Sequence, residues 1–334
     1  MIGGMMHSER VTDGFFGLCV GEALGLPVDC RSRNYLGQNP ILEMEGFGTY
    51  NQPPGTWSDA SSLTFCAAEA LTTGFNLETL AENFILWHDT GFWTPNGEIV
   101  GRWNPTLDII DRFRNRQTNP RRSGINEPSN NFPLLWMLPY VYLTAGLPDR
   151  KRIQIVQEVV EFVYPDKIGS LGAVIYVEIA NRLLQGIPIR ESVVGAQEFI
   201  ADYFKGDERL NLFSVVLGGR IISLTEDDVR ASNGLVDSLT AVIWTILQNN
   251  GYRETLLRAV NLGEDTDAVG AAVGGLAGIA YGLKDIPAGW LDQIKKKAEI
   301  TDLCMRFSAK MKSWEARRQH KSEKQKNNTM QTDL

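Results

Sequence analysis

From Ser61 onward, apolar residues recur at the three- and four-residue spacing of helices, punctuated by Gly, Pro and Asn, and the alternation of strands is nearly absent. The pattern predicts helices over about 10–25, 61–74, 76–89, 105–116, 132–146, 151–164, 170–186, 190–204, 236–249, 252–262, 267–283, 287–296 and 299–318. The longest polar stretch, Arg114 to Asn131, reads as a surface loop or lid, because apolar helices resume on both sides. These elements describe an all-α, single-domain protein.

Two of the predicted helices carry glycine at four-residue spacing: Gly17, Gly21 and Gly25 in one, and Gly270, Gly274, Gly278 and Gly282 in the other. Each glycine costs a helix about 1 kcal/mol relative to alanine, so a seam of them implies close approach of two backbones. Neither segment holds 18 consecutive apolar residues, so they read as central core helices rather than membrane spans.

Composition narrows the chemistry. Three histidines (His7, His88, His320) and four cysteines (Cys19, Cys30, Cys66, Cys304) without a CxxC pair leave little material for a zinc site, a Ser-His-Asp triad or a disulfide framework. Any catalysis near neutral pH falls to carboxylates. A reducing, cytoplasmic location is expected, with no secretion signal and no membrane association.

The net charge of −7 argues against general nucleic-acid binding. It is unevenly spread: residues 305–334 hold eight Lys and Arg against three acids, giving +5 there and −12 in the remainder. The main domain is therefore expected over 10–304, with 305–334 a basic helix end and flexible tail. A docking segment for an anionic partner is the alternative reading of that tail.

Two acidic segments stand out. In PPGTWSDASSLT a Pro-Pro-Gly turn delivers Ser58 and Asp59 to a helix start; in NLGEDTDAVG, Glu264, Asp265, Thr266 and Asp267 crowd the start of the second glycine helix. Each of Ser58, Asp59, Asp265 and Asp267 would serve as a helix cap. Aspartates two residues apart can also turn toward one hard cation such as Mg²⁺ or Mn²⁺, and three acids within four residues repel unless a cation lies among them. Phe92 and Trp93 in GFWTPNGE would either stack on a ligand or lie buried beneath their loop. Asn233 reads as a residue of the turn into a helix, and Cys66 as core.

In order and separation, the segments GLCVGEALGLPVD, PPGTWSDASSLTFCAAEAL and AVNLGEDTDAVGAAVGGLAGIAYGLKDIPAGWL resemble the ADP-ribosylglycohydrolase family, the enzymes related to dinitrogenase-reductase-activating glycohydrolase. The resemblance runs from about Asp13 to about Leu303. It implies an orthogonal helical bundle with a two-metal centre of Mg²⁺ or Mn²⁺. Its cleft would bind ADP-ribose and hydrolyse the bond to a protein side chain or small molecule. By position, Ser58, Asp59, Asp265 and Asp267 match metal ligands, and Asp29 falls on a catalytic acidic residue that is commonly Glu. Asn131, Trp93, Gly263 and Glu264 are the candidate substrate contacts.

The chain departs from the family pattern at working positions. Ala60 stands where the first segment usually has a second Asp, Ala268 where a hydroxyl follows Asp267, and SNNFPLLWMLP (Ser129–Pro139) replaces a Gly-Asn-Gly-Ser segment. Asp29 is shorter than Glu by about 1.5 Å, near one C–C bond. Full two-metal occupancy is therefore not expected. Two functions follow: a divergent metal-dependent ADP-ribosyl hydrolase, or a relative that binds ADP-ribose, a modified protein or a toxin partner without turnover.

Overall fold

The computed structural model describes residues 7–101, 105–115 and 129–332. Among them there are sixteen α-helices and no strand, and the only β pairing is an isolated bridge between Asn130 and Gly234. The N-terminal half contains α1 (Val11–Gly25), α2 (Arg33–Gln38), α3 (Asp59–Thr73), α4 (Leu77–Thr90), α5 (Pro105–Arg114), α6 (Phe132–Leu135), α7 (Leu138–Thr144) and α8 (Asp149–Val163). The C-terminal half contains α9 (Lys167–Leu184), α10 (Ile189–Tyr203), α11 (Ser214–Leu217), α12 (Leu235–Gln248), α13 (Tyr252–Asn261), α14 (Thr266–Tyr281), α15 (Ala288–Gln293) and α16 (Lys297–Thr332). The loop expected from Arg114 to Asn131 lies largely outside the described residues.

Every long predicted helix is present; the differences are local. The helix expected over 132–146 is two, α6 and α7, because Pro139 has no N–H for the carbonyl of Leu135. That carbonyl accepts instead from Thr64 Oγ1 at 2.8 Å, which ties the break to α3. Helix α2, which periodicity did not reveal, is one and a half turns long and is capped by Ser32 Oγ, which accepts from Tyr35 N. The last helix continues past 318 to Thr332 and packs Phe307 against Phe15 and Tyr142.

At the centre, α1 and α14 run antiparallel in backbone contact. A Cβ on Gly17 would lie 2.3 Å from the Gly274 carbonyl oxygen, and one on Gly21 would lie 2.0 Å from that of Gly270. No side chain fits, so the seam requires glycine. The segment His7–Val28 is long and apolar enough to cross a membrane by length and composition, although the sequence lacks an unbroken apolar run. Of its most apolar 18-residue window, 83% is buried inside the protein, as in a core helix. The seam sets the register: Gly25 lies against Thr266, so the end of α1 meets the start of α14.

Candidate active site

This register gathers the acidic residues at one pole. Asp29 follows α1, Asp265 and Asp267 open α14, and Asp59 opens α3. One ligand oxygen from each of Asp29, Asp265 and Asp267 lies within 4.8 Å of the others. With Asp59, they line a cleft of about 150 Å³ whose other walls are Tyr50, Gly101, Asn131, Phe132, Leu135, Asn233 and Ala268. No basic side chain is among these lining residues.

The loops that carry the acids are clasped by their backbones. Cys30 N donates to Glu264 O and Glu264 N to Arg31 O, both at 2.7 Å. Cys30 and Glu264 hold left-handed φ of 63°, a conformation that costs about 1–3 kcal/mol in a non-glycine residue. Gly263, also left-handed, lies so close to the 31–33 backbone that a Cβ would be 2.6 Å from Arg33 N. Gly263 and Glu264 thus hold the Asp29 and Asp265 loops together, and neither lines the cleft.

The side-chain bonds show which of the set cap their helices. Ser58 is the N-cap residue of α3 yet makes no capping bond, and Asp265 makes none to α14. Asp267 Oδ1 accepts from the N–H of Ala268 at 2.8 Å, so one of its oxygens is used locally. Ser58 Oγ lies 2.6 Å from Glu22 Oε1 and 3.2 Å from Asp267 Oδ2, with one proton to give. Asn131 donates to Asp265 Oδ2 at 2.5 Å and to Ser238 Oγ at 2.9 Å, fixing the aspartate's aim. Tyr50 donates to Asp29 Oδ2 at 2.7 Å, while Asp29 Oδ1 is buried without a partner.

Crowding and burial favour the neutral acids. Burial, then the nearby Glu22 and Asp265, pushes Asp59 up to about 8. Burial raises Asp265 to about 6 against the stabilising bond from Asn131, and burial with Asp29 beside it raises Asp267 well above the carboxylate range. A divalent cation would reverse each of these effects.

The structure separates the remaining predicted residues. Trp93 is not on the cleft: it packs against Phe65 at 5.3 Å and lines a different groove, with Phe92, Glu69 and Arg306. Trp57 is fully buried, its Nε1 donating to Lys295 O, and Cys66 is core. Asn233 is both a turn residue, accepting from Asn131 N, and a cleft residue. Ala268 lines the cleft, whereas Ala60 is buried and does not. Sequence reasoning missed Tyr50 and Glu22. Glu22 had a visible signal, since it is the single charge between Asp13 and Asp29 on an otherwise apolar helix.

Fold and site together define an all-α bundle with a carboxylate-lined pole suited to a hard cation. The sequence model of the ADP-ribosylglycohydrolase family matches residues 5–317, and the chain belongs to that family of glycosyl-bond hydrolases. It is 23% identical to the ADP-ribosylarginine hydrolase Tri1 of Serratia proteamaculans, over 88% of this chain and 78% of that protein. It is 24% identical to the ADP-ribosyl-[dinitrogen reductase] glycohydrolase of Rhodospirillum rubrum, over 90% and 94% respectively. A solved structure described as an ADP-ribosylglycohydrolase-related protein complex superposes with a TM-score of 0.74 at 23% identity, covering 92% of this chain and 99% of that one.

Proposed function

We propose that the protein removes ADP-ribose from a modified protein side chain, arginine foremost, in a reaction dependent on Mg²⁺ or Mn²⁺. The observation that carries this reading is the group formed by Asp29, Asp265 and Asp267 in a cleft without a basic side chain. The donor set is all oxygen, and the buried, unpartnered Asp29 Oδ1 is the kind of atom a bound ion or its water satisfies. Asp265 and Asp267 would hold the ion, with Asp59 and the Ser58 hydroxyl alongside. When bound, the ion would orient the ribose hydroxyls and water and stabilise developing negative charge. One ion matches this set better than two, because Ala60 and Ala268 bring no oxygen.

In hydrolysis, water oxygen bonds to the anomeric carbon as the bond from that carbon to the side-chain nitrogen breaks. The water proton passes to a carboxylate, and the leaving nitrogen takes a proton from solvent, so that the carboxylate's gain is returned to solvent and the protons balance. Asp29 is the proton acceptor in this scheme. Tyr50 holds Oδ2 and leaves Oδ1 for the water. Asn131 keeps Asp265 aimed into the cleft, and Phe132 and Leu135 exclude bulk water from one wall.

Purified protein incubated with arginine- and serine-ADP-ribosylated proteins, with Mg²⁺ or Mn²⁺ and with chelator, tests the proposal. ADP-ribose release from the arginine substrate that stops with chelator is expected. No release from either substrate, with ADP-ribose raising Tm, would replace the hydrolase reading by one of binding without turnover, the reading that Ala268 on the cleft wall favours.

A further inference from the structure

Glu22 is the most deeply buried acid among the described residues, and the hydrolytic scheme above gives it no task. We infer that Glu22 is a positioning residue: from α1 it caps α3, and so fixes the helix start that carries Ser58 and Asp59. The catalytic half of this inference rests on the proposed hydrolase function; the structural half does not.

The first N–H groups of a helix have no partner within it, and the N-cap side chain ordinarily accepts one of them. At α3 that residue is Ser58, which makes no such bond. Glu22 accepts instead. Its Oε1 takes the N–H of Ala60 at 2.9 Å and lies 2.6 Å from Ser58 Oγ, and its Oε2 takes the N–H of Ser61 at 2.9 Å. The cap reaches α3 from another helix, 36 residues before Ser58.

Two consequences follow. The Ser58 hydroxyl is held between Glu22 and Asp267 rather than capping its own helix, and the Asp59 carboxylate at the helix start lines the cleft. Glu22 itself cannot drift, because the neighbouring Gly21 lies in backbone contact with Gly270. The α1–α14 seam thereby fixes the start of α3 as well as the acids at the start of α14. The acceptor pattern also explains why a carboxyl group is used in so dry a place. A carboxamide would turn an NH₂ toward the N–H of Ser61, or toward that of Ala60, setting donor against donor.

The test compares wild type with Glu22→Gln, which keeps shape and removes one acceptor oxygen. In wild type the Ala60 and Ser61 amides exchange slowly with solvent; in E22Q both speed up by about tenfold or more, while the α14 amides are unchanged. Mn²⁺ affinity, titrated with the metal alone, weakens by about 10- to 100-fold. Against an arginine-ADP-ribosylated protein, kcat falls while KM stays within about twofold, as expected for a group that acts through the ligands and does not touch substrate.

Amides of Ala60 and Ser61 that exchange freely in wild type overturn the inference. So does an E22Q protein with unchanged amide exchange and Mn²⁺ affinity. If E22Q does not fold, the wild-type exchange rates decide. If wild type folds and binds Mn²⁺ but turns nothing over, the hydrolase function fails, and the exchange and Mn²⁺ measurements still decide the role of Glu22.

Discussion

The two ends of the α1–α14 pair share one backbone seam and opposite chemistry. At the end where α1 starts, charge is neutralised within the protein. Arg10 donates to the carbonyls of Leu183 and Ile279 and pairs with Asp13, whose other oxygen accepts from Leu283 N. Tyr142 closes over Arg10 O, and Tyr281 donates to Asn249 O. At the end where α14 starts, four carboxylates line a cleft with no basic side chain among its lining residues, one oxygen is orphaned, and two non-glycine residues hold left-handed backbone. The first end completes the fold. The second is held in an arrangement that the protein alone does not satisfy, the kind a ligand would complete.

The strongest way to break this comparison is to part the seam that serves both ends. Gly21→Ala would put a methyl 2.0 Å from Gly270 O, a clash with backbone that no rotamer relieves. Urea unfolding should show a loss of about 3 kcal/mol or more, at the upper end of overpacking. Gly37→Ala is the control, since nothing lies within 4 Å of a Cβ there. Equal effects of the two substitutions would sink the account of the seam as the scaffold of both poles.

Next in size is Asp267→Asn, for which activity and stability should move in opposite directions. Turnover should fall by at least about a hundredfold, since even groups behind metal ligands are worth 10- to 100-fold. Stability follows from the raised acids. With Asp59 at about 8 and Asp265 at about 6, the folded protein keeps protons that the unfolded chain has released. The metal-free protein is therefore stabilised at low pH and loses that stability as pH rises from about 4 to about 8. Melting curves across this range should show Tm falling in wild type and falling less in D267N, with Mn²⁺ restoring the alkaline loss only in wild type. A wild-type Tm that rises with pH over the window would contradict the crowding of these acids.

The seam was legible in sequence because it depends on a repeated residue type. Glycine at 17, 21 and 25 and at 270, 274 and 278 is a local signal with one steric cause. Asp59, Asp265 and Asp267 were visible for a similar reason, each lying beside a helix start that the pattern gave, whereas Asp29 was visible only through the family resemblance. Trp93 was ambiguous because burial and stacking demand the same residue type, and only its contact with Phe65 resolves it. Tyr50 and Asn131 were harder. Tyr50 meets Asp29 across 21 residues and Asn131 meets Asp265 across 134, and no spacing rule encodes such pairs. The short turns from Glu208 to Asp228 escaped for another reason, since three to six residues are too few to show a period.

The finest test of the two poles is a matched pair of tyrosines. Tyr281 donates to Asn249 O at 2.9 Å at the satisfied end, and Tyr50 donates to Asp29 Oδ2 at 2.7 Å at the acidic end. Both hydroxyls are removed by substitution to Phe with little change in shape. Tyr281→Phe leaves a carbonyl short of one donor and should cost about 1 kcal/mol of stability with no change in kcat. Tyr50→Phe releases the carboxylate proposed as proton acceptor, so kcat should fall about tenfold while stability barely moves. Because the chemical change is the same, a difference in which quantity responds must come from location. If Tyr281→Phe slowed turnover as much as Tyr50→Phe, the two ends would be coupled through the seam and the division between them would be wrong.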